Sequence, residues 1–143
     1  MDPMSMAEVE DDIKNDIAEL KEEISQYTFL VECGADLPEY PDRYRKNKYL
    51  IPECQVRTWV YAEWKNSRLY IRADSESLPV RGALSFLLEI YQDRSVQEIA
   101  EYSCTLLQFE PFTKHYTKEQ LDGLKKVLGQ FKSFRAENQG SSR

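Results

Sequence analysis

The sequence predicts an α+β fold: one small antiparallel sheet of about three strands packed against helices, with a long N-terminal helix and further helices at the C-terminal end. Three observations carry this. A helical apolar stripe opens the chain, β-prone runs with period-two alternation occupy its middle, and three helical segments close it. The order helix, strands, helices is that of an α+β domain and not of repeating βαβ units. The 143 residues fit a single domain, 1–143, which buries roughly 70% of the surface that its unfolded form exposes.

The first helix is expected from about Ala7 to Val31, because Val9, Ile13, Ile17, Leu20, Ile24, Tyr27 and Leu30 recur at steps of three or four. Residues 1–23 hold nine acidic side chains and two lysines, a charge of −7, against −6 for the whole chain. The remaining residues sum to +1. Carboxylates are favourable near a helix N-terminus, so this acidic helix reads either as a solvated face or as an arm turned to a partner. A loop follows from Glu32 to about Tyr49, punctuated by Gly34, Pro38 and Pro41. It carries the basic cluster Arg43, Arg45, Lys46 and Lys48.

Strands are expected at Tyr49–Ile51, at Thr58–Trp64 and at Leu69–Ala73. In the last of these Leu69, Ile71 and Ala73 share one face, and Lys65-Asn66-Ser67 supplies a hairpin turn. A helix opens at Ser77 or Leu78 with Pro79 in its first turn, where a missing N–H is harmless. Ser95-Val96-Gln97-Glu98 and Thr117-Lys118-Glu119-Gln120 are capping boxes for two further helices, the second running to about Phe134. Residues 136–143 read as a disordered tail.

Several function classes are excluded at this level. No apolar run approaches the roughly 18 residues of a membrane span. The acidic balance argues against general nucleic-acid binding. Residues 1–12 are acidic and lack the basic start of a targeting segment. The three cysteines form no closely spaced pairs, which argues against a disulfide framework and for a reducing compartment, the cytoplasm. No Gly-rich phosphate loop is present, and His115 is the only histidine. Zinc ligation by Cys33, Cys54, Cys104 and His115 lacks the paired spacing of structural sites. A Cys54–His115 hydrolase lacks an orienting motif. Cys54, at a loop tip between two β-prone runs, reads as a reactive thiol or as a small buried residue.

The residues around it carry a resemblance. Cys54-Gln55 with Trp59-Val60, then Ala73-Asp74-Ser75-Glu76-Ser77-Leu78-Pro79-Val80-Arg81-Gly82-Ala83-Leu84, resembles the SufE family of sulfur-acceptor proteins. That family shows a Gly-Cys-Gln-Ser-x-x-Trp loop and an Asp-Ser-Asp-x-x-x-x-Arg/Lys-Gly-Leu segment. The similarity includes Leu37-Pro38, Leu87-Leu88-x-x-Tyr91, Glu98-Ile99, His115-x-Thr117 and Gly123-Leu124, and it spans residues 27–131. Glu53 replaces the usual glycine, Val56 a serine, Glu76 an aspartate and Gln120 an arginine.

The resemblance implies a SufE/IscU-like arrangement in which Cys54 takes persulfide sulfur from a cysteine desulfurase and relays it to an iron–sulfur cluster scaffold. It implies no cofactor or metal on this chain, since pyridoxal phosphate belongs to the desulfurase. Cys54 is expected to rest against the core, with Arg57, Arg81 and Lys48 as cations able to lower its pKa. Gln55, Asp74, Glu76 and Arg81 are expected to gate the loop. Arg43, Arg45, Lys46, Lys48 and Arg57 are expected to meet the partner. The assembly is expected to be a monomer or homodimer. The alternative is a binding or regulatory module that keeps the fold without transferring sulfur.

Overall fold

The computed structural model describes the backbone of residues 4–141 and the side chains of residues 4–132. The long N-terminal helix of the sequence reading is in fact two helices, α1 (Met6–Glu19) and α2 (Glu23–Gly34). A capping box opens α1: Ser5 Oγ accepts from the Glu8 N–H at 3.1 Å, and Glu8 Oε1 accepts from the Ser5 N–H at 2.8 Å. The chain leaves the helix at Leu20 (φ −82°, ψ 116°). Carbonyls at a helix end have no intrahelical donor. Here the buried Gln26 amide reaches back and donates to the carbonyls of Leu20 (2.8 Å) and Ile17 (3.3 Å). Past the break the stripe is split: Ile24 (70% exposed) and Tyr27 turn to the surface, while Leu30 stays buried in the core.

The sheet is a two-stranded hairpin of β1 (Thr58–Lys65) and β2 (Arg68–Ser75), with Thr58 opposite Ser75 and Lys65 opposite Arg68. Asn66 and Ser67 both have positive φ (53° and 66°), as a tight I′-like turn requires. The third strand expected at Tyr49–Ile51 shrinks to one bridge, Leu50 to Trp59, with the Ile51 N–H donating to the Thr58 carbonyl at 2.9 Å. Pro52 has no N–H to continue the ladder, and the Cys54 N–H turns back to the Ile51 carbonyl at 3.1 Å. The failed strand thus becomes the loop that carries Cys54.

Leu69, Ile71 and Ala73 point inward as the alternation predicts, toward α3 (Leu78–Tyr91), which packs against β2, α1, α2 and α6 (Lys118–Ser141). Ten of the fourteen α3 residues are buried, so this helix is the centre of the core. Its crossing with α2 is a backbone contact: a Cβ on Gly82 would lie 2.0 Å from the Leu30 carbonyl oxygen. The outer face of the hairpin is covered by the 40–49 segment. There Tyr44 stacks on Tyr61 at 3.6 Å between centroids, and Tyr49 meets both rings edge-on at 5.5 Å.

The chain closes with α4 (Val96–Glu101), a one-turn α5 (Glu110–Thr113) and α6. Both expected capping boxes form, Ser95 with Glu98 and Thr117 with Gln120. Helix α6 passes the expected end near Phe134 and takes in most of the segment read as a tail; residues 142–143 lie outside the described residues. At the other end α1 is docked through Glu10, which is 2% exposed. Glu10 accepts hydrogen bonds from the Tyr102 hydroxyl and from the Thr105 N–H (3.0 Å) and hydroxyl (3.1 Å), and it pairs with Lys14 at 3.0 Å.

Candidate functional site

Cys54 is half-buried on the loop between Ile51 and Thr58. Its sulfur rests on the backbone of α6 at Gly123, where a Cβ would lie 2.3 Å from Sγ. A glycine is required there by this close approach. A cavity of about 90 Å³ opens beside the sulfur, lined by Cys54, Gln55, Val56, Thr58, Ser77, Val80, Thr117, Glu119 and Gln120. The loop, the start of β1 and the N-terminal ends of α3 and α6 therefore converge on one thiol.

The electrostatics at Cys54 differ from expectation. Burial pushes the thiol above its ordinary pKa; the nearby Thr58 hydroxyl opposes this, and the Glu53 carboxylate pushes it up again. None of the expected cations Arg57, Arg81 and Lys48 is among the groups that act on it. Arg57 turns to Glu76 at 2.7 Å, Arg81 turns to Asp74 at 3.2 Å, and Lys48 lies over the Tyr49 ring at 5.1 Å. At rest the sulfur is a sheltered, protonated thiol. Glu53 reaches Lys126 of α6 at 3.7 Å, so the residue that replaces the family glycine adds a contact between loop and helix.

The remaining site residues separate into two groups. Asp74 is a junction: it takes Arg45 at 2.6 Å and Arg81 at 3.2 Å, and its Oδ1 accepts from the Ser75 N–H at 2.8 Å. The Arg81 Nε faces Asp74 as a charge, without hydrogen-bond alignment. The Glu76 N–H donates to the Arg57 carbonyl at 2.9 Å, in addition to the side-chain pair, which ties the end of the Cys54 loop to the turn after β2. Arg45 also lies over Tyr40 and Trp59, and Trp59 is buried as expected. Arg43, Lys46 and Lys48 stay exposed, with no carboxylate within 4.0 Å among the described residues. The basic cluster is thus split, with Arg45 structural and the other three facing solvent. Gln55 is exposed at the cavity mouth and makes no side-chain hydrogen bond among the described residues.

The other titratable candidates are accounted for elsewhere. Burial raises Cys33 to about 11, helped by Glu89 and Asp36, and raises Cys104 to about 12. His115 Nε2 is hydrogen-bonded to Gln26 Oε1 at 2.8 Å, and burial, with Lys114 nearby, holds its pKa below the usual value. His115 does not line the Cys54 cavity and has no hydrogen bond to Cys54 among the described residues, so the pairing that a Cys–His hydrolase needs is not formed. Among the described residues no group of three or more His, Cys, Asp or Glu side chains is placed to hold a metal ion. Among the described residues no helix is long and apolar enough to cross a membrane.

Sequence reasoning did not single out Thr58, which read as an ordinary strand residue; it placed Ser75 in the turn after the second strand, whereas β2 runs through it, and Gly123 only within a motif. A glycine inside a helical stripe costs about 1 kcal/mol relative to alanine; that cost is the signal that could have marked a close approach. Gln120, where the family has arginine, is the N3 residue of the α6 capping box, accepting from the Thr117 N–H at 2.9 Å.

The chain is similar to known proteins along most of its length. The family described as "SufE: Fe-S metabolism associated domain" matches residues 11–135. The cysteine desulfuration protein SufE of Wigglesworthia glossinidia brevipalpis is 28% identical over 104 residues, which is 71% of this chain and 72% of that protein. The sulfur acceptor protein CsdE of Escherichia coli (strain K12) is 29% identical over 92 residues, 64% of this chain and 63% of that protein. The fold matches the solution structure of a hypothetical protein from Thermus thermophilus, with a TM-score of 0.71 at 17% identity over 90% of this chain and 94% of the other. The thiol on its loop, the α+β frame that shelters it and the family match over residues 11–135 agree: this chain belongs to the SufE family.

Proposed function

We propose that this protein is a sulfur acceptor and activator of a cysteine desulfurase, taking persulfide sulfur onto Cys54 and relaying it to iron–sulfur cluster assembly. The observation that carries the reading is the placement of Cys54, a thiol on a loop, seated over the helix glycine Gly123 and next to a cavity. The names of the relatives, a cysteine desulfuration protein and a sulfur acceptor protein, support it.

In the transfer, Cys54 loses its proton and its thiolate attacks the outer sulfur of the desulfurase persulfide. The sulfur–sulfur bond on the desulfurase breaks, a new one forms at Cys54, and the desulfurase cysteine leaves as a thiolate. The sulfane sulfur moves without net oxidation or reduction. Pyridoxal phosphate belongs to the desulfurase, and this chain brings no cofactor to the step. A resting thiol that is largely protonated and half-buried is protected from oxidation, so docking has to lift the loop off α6. Asp74 with Arg81, and Glu76 with Arg57, hold the turn beside the loop and gate that movement. Arg43, Lys46 and Lys48 form the solvent-facing cationic surface for an acidic rim on the desulfurase, joined by Arg57 once its pair with Glu76 opens. Val56 and Leu78 (55% exposed) offer apolar surface near the thiol for the partner to cover. The downstream acceptor is an iron–sulfur scaffold, and three free thiols suit a reducing cytoplasm.

The test is a Cys54→Ser variant, which should bind the desulfurase and fail to take up sulfur. Sulfur uptake that survives the substitution would move the chemistry to Cys33 or Cys104. The Glu53–Lys126 contact favours a second reading, a binding module whose loop stays seated; that protein would bind the desulfurase and leave Cys54 unmodified. Gating is tested by Glu76→Arg. The Arg57–Glu76 pair is largely exposed, so its loss should cost under about 1 kcal/mol of stability. Desulfurase stimulation should change, and unchanged stimulation would remove the gating role.

A further inference from the structure

The groove between the turn after α2 and helix α3 holds a cavity of about 260 Å³, with Asp36, Leu37 and Pro38 on one side and Ser85, Leu88 and Glu89 on the other. The turn is pinned to the helix end: the Asp36 N–H donates to the Cys33 carbonyl at 3.0 Å and the Leu37 N–H to the Gly34 carbonyl at 3.2 Å. Ser85 is 5% exposed, and its buried Oγ has no hydrogen-bond partner among the described residues. A buried hydroxyl left unpaired costs stability, and native structures rarely keep one. Gln92, which also lines the cavity, is engaged with β2: its Oε1 accepts from the Ile71 N–H at 2.7 Å and its Nε2 donates to the Ile71 carbonyl at 2.9 Å. Asp36 and Glu89 are exposed, and neither is ion-paired among the described residues. Asp16 and Glu32 extend the same negative zone. Burial, then Glu89, Asp36, Asp16 and Glu32, push the Cys33 thiol up to about 11, and partial burial with Asp36 and Asp16 holds the Glu89 carboxyl above its usual value.

We propose that this cavity takes the guanidinium of an arginine side chain on a protein partner. The apolar stem of the arginine lies against Leu37, Pro38 and Leu88, and its head meets Asp36, Glu89 and the Ser85 hydroxyl. The planar fork of five N–H donors can serve several acceptors together, and a guanidinium is less strongly hydrated than an ammonium. The hydroxyl accepts from the ligand and so gains the partner it lacks in the free protein. Charge selects the source. Free arginine would bring its own carboxylate into the zone of Asp16 and Glu32, whereas an arginine within a peptide brings only the cation. The site is separate from the Cys54 cavity. Glu89 follows Val80, which lines that cavity, by about two and a half helical turns, so the two residues lie on opposite faces of α3. A partner seated at Glu89 leaves Cys54 accessible, and the inference does not depend on sulfur transfer.

The test is a titration of the isotope-labelled full chain with a Gly-Arg-Gly tripeptide blocked at both ends, followed by amide chemical shifts. The Leu37, Ser85 and Glu89 amides should move along saturating curves, in the millimolar range that a single side chain supports. Replacing the arginine by citrulline, which keeps the shape and loses the charge, should weaken binding about tenfold or more. Free arginine and a blocked Gly-Lys-Gly should also bind more weakly. Glu89→Gln and Asp36→Asn should each weaken binding several-fold, and Ser85→Ala about tenfold, the effect of losing one hydrogen bond to a charged group. Stability separates a binding role from a structural one. None of the three substitutions should lower the melting temperature, because each removes a group that the free protein leaves unpaired or repelled by its neighbours. A Ser85→Ala protein that melts earlier and binds the tripeptide as well as wild type would make the hydroxyl structural and overturn the proposal. Shifts that stay linear with concentration, or citrulline or lysine tripeptides that bind as tightly as the arginine one, would overturn it too.

Discussion

Gly123 occupies a position where any side chain would collide with the Cys54 sulfur. Alanine is the better helix former by about 1 kcal/mol, so Gly123→Ala should not lower the melting temperature. It should instead unseat the loop and speed alkylation of Cys54 at pH 8 several-fold. A Cys54 as slow as in wild type would show that the thiol does not rest on α6. Gly82→Ala should behave in the opposite way. Its Cβ meets the rigid Leu30 carbonyl at 2.0 Å, and forcing the α2–α3 crossing apart should cost about 1–3 kcal/mol. Urea denaturation checks this, and an unchanged midpoint would contradict the close crossing. At this scale the sequence made Cys54, Trp59 and the Gln120 capping box legible, because each is announced by neighbours in the chain. The hydrogen bonds of Thr58 to Ser75 and to the Val56 carbonyl were not legible. They depend on a pairing across the hairpin and on a loop whose path follows from the failure of a strand.

The elements divide along the same line. The hairpin, the inward face of β2 and both later capping boxes follow from local patterns, and all are present. The break between α1 and α2 was hidden because apolar residues keep their helical spacing through Leu20 and Ile24. What makes the break is Gln26, held by the Leu20 carbonyl and by the remote His115. The third strand was lost to Pro52, which composition alone ranks below the β-prone residues before it. Docking of α1 through Glu10 has a pH signature. Burial alone would raise this carboxyl, but hydrogen bonds from Tyr102 and Lys14 and from the Thr105 backbone outweigh it and hold the pKa below the ordinary value. A lowered folded-state pKa contributes stability that is present above the unfolded value, roughly 4.3, and is lost as pH falls through the folded one. Wild-type stability should therefore decline below about pH 4 more steeply than that of Glu10→Gln. Parallel curves for the two proteins would remove Glu10 from this role.

Over the whole molecule, charge is arranged in two zones. The carboxylates of α1 other than Glu10 lie outward on one helix, and Arg43, Lys46 and Lys48 project from the segment that covers the hairpin. The −7 on residues 1–23 against +1 for the rest thus describes a surface with separate acidic and basic zones. If the basic zone meets the desulfurase, affinity should fall with added salt, since exposed charges are screened over about 8 Å at physiological ionic strength. Replacing Arg43, Lys46 and Lys48 by alanine should weaken binding and flatten that dependence, and a salt-independent affinity would place the interface elsewhere. The central claim is that this frame exists to shelter and present one sulfur. It is tested most directly by incubating the protein with its desulfurase and free cysteine and then mapping the added mass by peptide. The account predicts one additional sulfur on Cys54, with Cys33 and Cys104 unmodified. Added sulfur on either of those thiols, or on none, would contradict it.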